Sequence, residues 1–162
     1  MKIAIGCDEA AYELKEIIKR HLEAQGVEVD DFGTHDKAPV LYPNIAFAVG
    51  EKVAAGQYER AILLCGTGIG MAISANKVPG VRAAQCHDTF SAQRARKSND
   101  AQIITLGARV IGTELAKTII DAWMESEFEG GRSLAKVERI KEYDRAREGE
   151  LVPEARAQGS GC

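Results

Sequence analysis

Five short runs with strand character, each leading into a stretch of helical character, limit the fold of this chain more than any other feature. The runs are Lys2–Cys7, Val27–Phe32, Ala61–Leu64, Val81–Cys86 and Ala101–Leu106. After the first comes a helix over 9–25, with Leu14, Ile17, Ile18 and Leu22 at helical spacing and Gly26 ending it. A loop from His35 to Pro43 precedes a helix over 44–55, closed by Gly56. Another helix starts within or just after the glycines at 66–70. Asp88 or Thr89 caps the next, and Thr113 caps a helix over 114–126 that holds Trp123. Strands alternating with helices on this scale form a parallel sheet with helices on both faces. The expectation is a three-layer αβα, Rossmann-like doubly wound fold with strand order 2-1-3-4-5. In that order ligands bind beyond the carboxyl ends of strands one and three. Those ends carry Cys7-Asp8-Glu9 and Cys65-Gly66-Thr67.

The segment Ala61-Ile-Leu-Leu-Cys65-Gly-Thr-Gly-Ile-Gly70 runs from a strand into a loop with glycine at alternate positions. Gly66, Gly68 and Gly70 allow a tight turn and close approach of the backbone to a ligand. The N–H groups of such a loop, leading into a helix, suit an anion. It is not a P-loop, because no Gly-Lys-Ser/Thr follows, and its G-x-G-x-G spacing is not G-x-G-x-x-G. No arginine stands at the spacing of a cysteine phosphatase loop. The bland alternative is a strand-to-helix turn around a buried structural cysteine. Cys65 can serve as nucleophile or as general base. A nucleophile needs a neighbouring base; of the three histidines, His21, His35 and His87, the first sits mid-helix and the last, after the fourth strand, can face the crevice. A thiolate base needs a lowered pKa, which a helix N-terminus supplies. Thr67 can hold a substrate hydroxyl or oxyanion.

Asp8 either contacts substrate hydroxyls or N-caps the first helix. A receiver-type acidic pocket would need a second aspartate where Cys65 stands. Arg109 follows strand five near the carboxyl edge. Arg132 and Lys136 are four apart after Gly130-Gly131 and share a helix face, a pairing that can hold a phosphate.

The 162 residues fit one domain with a sizeable core, over 1–147, including a last helix at 132–147. That helix is strongly charged. Its narrow stripe of Leu134, Val137 and Ile140 suits docking on the domain or on a partner subunit. Residues 148–162 read as a flexible tail ending in Gly159-Ser-Gly-Cys162. The net charge of -3 argues against nucleic acid as a partner. No apolar run approaches the ~20 residues of a membrane span, and the chain opens on a strand pattern rather than a signal peptide, so a cytoplasmic location is expected. Cys7, Cys65, Cys86 and Cys162 form no C-x-x-C pair, and with three histidines no zinc site is expected.

Gly6-Cys-Asp8, Asp31-Phe-Gly-Thr34, Tyr42-Pro43, Cys65-Gly-Thr-Gly-Ile-Gly70, Asn76-Lys-Val-Pro-Gly-Val-Arg82, Ser98-Asn-Asp100, Leu106-Gly-Ala-Arg-Val-Ile-Gly112 and Glu129-Gly-Gly-Arg132 together resemble the ribose-5-phosphate isomerase B / galactose-6-phosphate isomerase family, over roughly residues 1–145. The resemblance implies an aldose–ketose isomerase of sugar phosphates working without metal or cofactor. It also implies a homodimer or dimer of dimers with active sites shared across subunits. Cys65 then matches the base that moves a proton between C1 and C2. Thr67 and the loop Gly66 to Gly70 match the group that stabilises the cis-enediolate. Asp8, Tyr42, Ser98 and Asn99 match substrate-side positions. Arg109, Arg132 and Lys136 match phosphate-side positions, the last with lysine where arginine is common.

Two positions depart from the family pattern. Glu9 stands where the family often has a phosphate-side histidine, and Ser98 where it has the histidine that opens the sugar ring. A serine does not shuttle protons at neutral pH as histidine does. Ribose 5-phosphate is mostly cyclic, whereas a tetrose 4-phosphate cannot close a furanose through its phosphorylated O4. These departures therefore raise an acyclic tetrulose 4-phosphate as a substrate, unless His87 replaces the missing histidine in space. A non-catalytic partner subunit is a further alternative, and the presence of Cys65 weighs against it. A cysteine hydrolase would need a Cys-His-acid set that the chain lacks.

Overall fold

The computed structural model describes the backbone of residues 1–157 and the side chains of residues 1–148. The strands are β1 (Lys2–Cys7), β2 (Glu28–Asp31), β3 (Ala61–Cys65), β4 (Ala83–Gln85) and β5 (Ile103–Gly107). The helices are α1 (Tyr12–Ala24), α2 (Tyr42–Ala54), α3 (Ile69–Ala75), α4 (Thr89–Asn99), α5 (Thr113–Met124) and α6 (Leu134–Ala157). A 3₁₀ turn, Glu9–Ala11, leads into α1, so the helix starts later than its apolar spacing suggested. Pro43 sits in the first turn of α2, where its missing N–H costs nothing. The side chain of Asp88 caps α4 by accepting from Ser91 N.

All pairings are parallel, and the five-stranded sheet has the order β2-β1-β3-β5-β4. This corrects the expected 2-1-3-4-5 at its last two positions. Every residue of β5 is buried, while β4 is three residues long and partly exposed. A fully buried run needs a strand on each side, and a short, half-wet strand suits an edge. The exchange also selects the face on which α4 lies. Right-handed crossovers place a connection according to its direction across the sheet. The step from β4 back to β5 therefore puts α4 beside α1 and α5, while α2 and α3 cover the other face. Two apolar layers result. Ile3, Ile5, Ile62, Leu64, Ile104 and Leu106 pack under α1, α4 and α5 with Trp123. Ala4, Ala61, Leu63, Cys65 and Ile103 pack under α2 and α3 with Val49 and Met71.

The last helix follows a 3₁₀ turn at Gly131–Ser133 and continues past the expected end at 147 to Ala157. Residues 158–162 of the expected tail, Cys162 among them, lie outside the described residues. Val137 of the expected stripe is buried, and the Asp144 carboxylate accepts from Gly80 N, so α6 is docked on its own domain. Leu134, Ile140 and Tyr143 remain exposed along the same helix. No described helix is long and apolar enough to cross a membrane.

Candidate active site

The switch point between β1 and β3 brings together the groups that the crevice argument singled out. Asp8 N donates to Leu64 O at 3.1 Å, joining the end of β1 to the end of β3. Cys65 is the last residue of β3 and is 4% exposed. Its sulfur accepts the Gly68 N–H at 3.0 Å. Gly68 has a φ of +77°, and a Cβ there would lie 2.9 Å from the Leu106 carbonyl carbon, so only glycine fits. A Cβ on Gly70 would stand 2.4 Å from the Tyr42 ring and hydroxyl, which packs Tyr42 directly over the loop. A Cβ on Gly66 would meet Arg109 Cδ at 3.4 Å, so the Arg109 side chain lies along the same loop.

The carbonyls of Cys65 to Gly68 all have protein partners. Cys65 O accepts from Ala108 N at 2.9 Å and Gly66 O from Arg109 N at 3.0 Å. Thr67 O accepts from Gln85 Nε2 at 2.7 Å, and Gly68 O from the buried Thr105 hydroxyl at 2.8 Å. Among the described residues no acceptor meets the N–H groups of Gly66, Thr67 or Gly70. A loop with its acceptors occupied and its donors free presents partial positive charge, which suits a developing oxyanion. Thr67 is exposed, and its hydroxyl accepts from Ile69 N at 3.2 Å.

Asp8 combines the two roles read for it. It caps the 3₁₀ turn by accepting from Ala11 N at 3.1 Å, and its carboxylate borders the crevice. Burial pushes its pKa above the ordinary value; Glu9 adds to the rise, while the Ala11 N–H and Arg109 oppose it. Glu9 is turned toward the loop 35–41, where its carboxylate accepts from Val40 N at 3.3 Å. The neighbouring thiols are of another kind. Burial pushes Cys7 up to about 12 and Cys86 up to about 11, which keeps both as inert core thiols.

His87 reaches this end of the sheet, but its Nε2 accepts from Gly107 N at 3.0 Å. The ring proton therefore sits on Nδ1, the one ring nitrogen left to act as a donor. Gly107 in turn presses on Thr67: a Cβ there would lie 2.6 Å from Thr67 Cα.

The remaining sequence candidates lie at the other end of the sheet. Asn99 ends α4, and Asn99 O accepts from Arg82 Nε just ahead of β4. Ser98 precedes it, and its hydroxyl accepts from Arg94 Nε at 2.9 Å and from Arg94 Nη2. Glu129 N donates to Lys97 O, which sets the segment before Arg132 beside the same end of α4, with Arg132 and Lys136 exposed. The register pairs Ala61 with Ile103 at one end and Cys65 with Gly107 at the other. About 13 Å of strand thus separates the two groups along the sheet. Within one chain, Cys65, Thr67, Asp8, Tyr42 and Arg109 come together, and Ser98, Asn99, Arg132 and Lys136 do not join them.

The sequence reading missed Gln85 and Thr105. Thr105 left a signal, a lone hydroxyl in the apolar run Ile103 to Leu106. Gln85 left a weaker one, two residues before His87 and so on the same side of a strand.

The sequence profile of the Ribose/Galactose Isomerase family matches residues 3–140. The chain is 56% identical over 144 residues to a Ribose-5-P isomerase B of Listeria innocua, covering 89% of this chain and 97% of that protein. It is also 56% identical over 145 residues to a D-erythrulose-4-phosphate isomerase of Pectobacterium atrosepticum, covering 89% and 95%. Among solved structures, the ribose-5-phosphate isomerase B of Clostridium thermocellum superimposes with a TM-score of 0.88 at 46% identity, over 91% of this chain and 99% of that one.

Proposed function

The chain belongs to the ribose/galactose isomerase family, and we propose from this premise that it interconverts an aldose and a ketose phosphate, ribose 5-phosphate and ribulose 5-phosphate in the first instance, with Cys65 as the base. The observation that carries the reading is the Cys65 sulfur receiving a backbone N–H, in a loop whose carbonyls are all engaged elsewhere. The Gly68 N–H is a donor already in place for charge on the sulfur. The thiolate takes the proton from the carbon next to the carbonyl and returns it to the neighbouring carbon, while a proton passes from the hydroxyl oxygen to the former carbonyl oxygen. The negative charge that develops on oxygen in the cis-enediolate meets the free N–H groups of Gly66, Thr67 and Gly70, with the Thr67 hydroxyl beside them. Asp8 and Tyr42 border the sugar, and Arg109 approaches the same loop. The chemistry asks for no metal or cofactor. Free thiols at Cys7, Cys65 and Cys86 agree with a cytoplasmic enzyme.

The site is completed, in this reading, by a second copy of the chain. Ser98, Asn99, Arg132 and Lys136 are on the outside of the domain, remote from their own Cys65, so a homodimer or a dimer of dimers would supply them in trans as substrate- and phosphate-side groups. The exposed Leu134, Ile140 and Tyr143 of α6 and the exposed Leu41, Ile69 and Phe90 near the loop support such an association.

A second substrate reading rests on Ser98. Its hydroxyl is held by the Arg94 guanidinium, and no proton-shuttling side chain stands there. An acyclic substrate such as erythrulose 4-phosphate needs no ring opening, and the Pectobacterium relative carries that substrate in its name.

A panel of C4, C5 and C6 aldose and ketose phosphates, run on the native enzyme and on Cys65→Ser, tests both readings. One substrate class should dominate kcat/KM, and Cys65→Ser should lower kcat by about 10²–10⁴-fold with the fold retained. A Cys65→Ser variant of native activity would remove the base assignment. A strong ribose preference would remove the tetrose reading.

A further inference from the structure

The catalytic loop is anchored by four carbonyls, and three of the anchors come from β5 or the turn beyond it. Two are main-chain N–H groups, of Ala108 and Arg109, which any side chains would provide. The third is the buried Thr105 hydroxyl. The fourth comes from the edge strand, where the Gln85 side chain reaches past β5 to Thr67 O at 2.7 Å. Because the acceptor is a carbonyl, only the amide nitrogen of Gln85 can face it.

The Thr67–Gly68 peptide is the one that matters for the thiol. In a trans peptide the C=O and the following N–H point in opposite directions. Gln85 holds the Thr67 carbonyl from one side, and the Gly68 N–H leaves from the other to meet Cys65 Sγ at 3.0 Å. Rotating that carbonyl away from Gln85 rotates the N–H away from the sulfur. A donor on the carbonyl also polarises the peptide and strengthens its N–H as a donor. His87, two residues further along, supports the same arrangement through Gly107, whose backbone packs against Thr67.

We propose that Gln85 is a positioning residue for the isomerase reaction: by holding the Thr67 carbonyl it aims the Gly68 N–H at Cys65 and favours the reactive thiolate. Among the described residues the Gln85 side chain makes its hydrogen bond to Thr67 O, not to the sulfur. Its effect passes through one peptide group, and so does the test. The proposal rests on the reading of Cys65 as the reacting thiol.

Gln85→Met removes the donor and keeps the length of the side chain. Gln85 is exposed at the sheet edge, and Gln85→Leu serves as a second donorless variant. The first readout is the pH dependence of Cys65 alkylation by iodoacetamide in the full-length enzyme, followed on the Cys65 peptide by mass spectrometry. Asp8 and Glu9 after β1, Tyr42 on α2, His87 after β4 and Arg109 after β5 are titratable groups at this end of the sheet and are the same in variant and parent. A shift therefore reports the Thr67–Gly68 peptide. Alkylation of Cys65 near neutral pH should slow about three- to tenfold in both variants. In kinetics, the acid limb of kcat/KM should move with it, while KM stays within about twofold. Superimposable alkylation profiles for parent and both variants would overturn the proposal. The thiol readout does not depend on turnover. If Cys65→Ser proves active yet Gln85→Met still shifts the alkylation profile, the base reading falls and the positioning of the loop by Gln85 stands.

Discussion

At the amino end of the sheet, Arg60, Arg82 and Arg96 are buried, and their guanidinium groups are turned onto protein acceptors. Arg60 donates to the carbonyls of Trp123, Met124 and Ser126, the last turn of α5 and its exit, and to Glu127. Arg82 holds the carbonyls of Asn99 and Asp100, and Arg96 pairs with Asp100 and Glu59. At the carboxyl end the acceptors of the loop are occupied and the donors of Gly66, Thr67 and Gly70 are left without protein partners. One end turns most of its guanidinium donors onto the protein, although Arg60 Nε and Arg96 Nε stay buried without a hydrogen-bond partner. The other leaves half-exposed N–H groups without protein partners, open to the oxyanion of the proposed reaction.

The sharpest challenge to this comparison concerns Ser98 and Asn99, which sit at the stabilising end although the proposed reaction needs them on the substrate side. Co-expression of Cys65→Ser with Asn99→Ala tests whether the two ends meet across subunits. If the proposed dimer shares its sites, each variant alone should be inactive or nearly so, and the mixture should regain turnover through one intact pair of ends. A mixture no more active than its parents would confine each site to one chain.

Next in size is Arg60→Met. Arg60 is fully buried, and its loss leaves three carbonyls at the end of α5 without their donor. The urea unfolding free energy should fall by about 3 kcal/mol, while kcat per folded molecule stays unchanged. A large loss of kcat would show that the two ends are not independent.

The smallest effect is expected at Asp8. Its folded pKa lies above the ordinary 3.8, with burial as the main cause. A raised carboxylate means that the folded state holds the proton more tightly than the unfolded one. Stability attached to this group is therefore lost as pH rises from about 3.8 through the folded value. Asp8→Asn removes the charge and keeps an acceptor for Ala11 N. It should be slightly more stable than the parent at pH 7, and the difference should close below about pH 4. Urea midpoints at the two pH values measure this. A variant less stable than its parent at both would mean that the capping role of Asp8 outweighs its desolvation.

Much of the candidate site around Cys65 was legible in the chain because each signal was local. An apolar run ending in Cys65, alternating glycines after it and Asp8 at the end of the first run are all properties of short segments. The fold rule for parallel sheets then joined them at one crevice. Gln85 escaped because its meaning lies in a bond to Thr67, 18 positions away, across an intervening strand. The remoteness of Asn99 from Cys65 escaped for the same reason: a motif records which residue types occur, not the end of the sheet to which a helix returns them.

By itself, then, the sequence determined an αβα fold with a parallel sheet, the cysteine loop at the end of its third strand and the carboxylate facing it. Periodicity and glycine placement act over a few residues, and these features need nothing more. Only the tertiary structure decided that β5 lies inside β4, that α4 joins α1 and α5 on one face, and that the Thr67–Gly68 peptide is held from an edge strand. Those outcomes depend on which buried run needs two neighbours and on the handedness of crossovers, and both are settled by packing the whole chain at once.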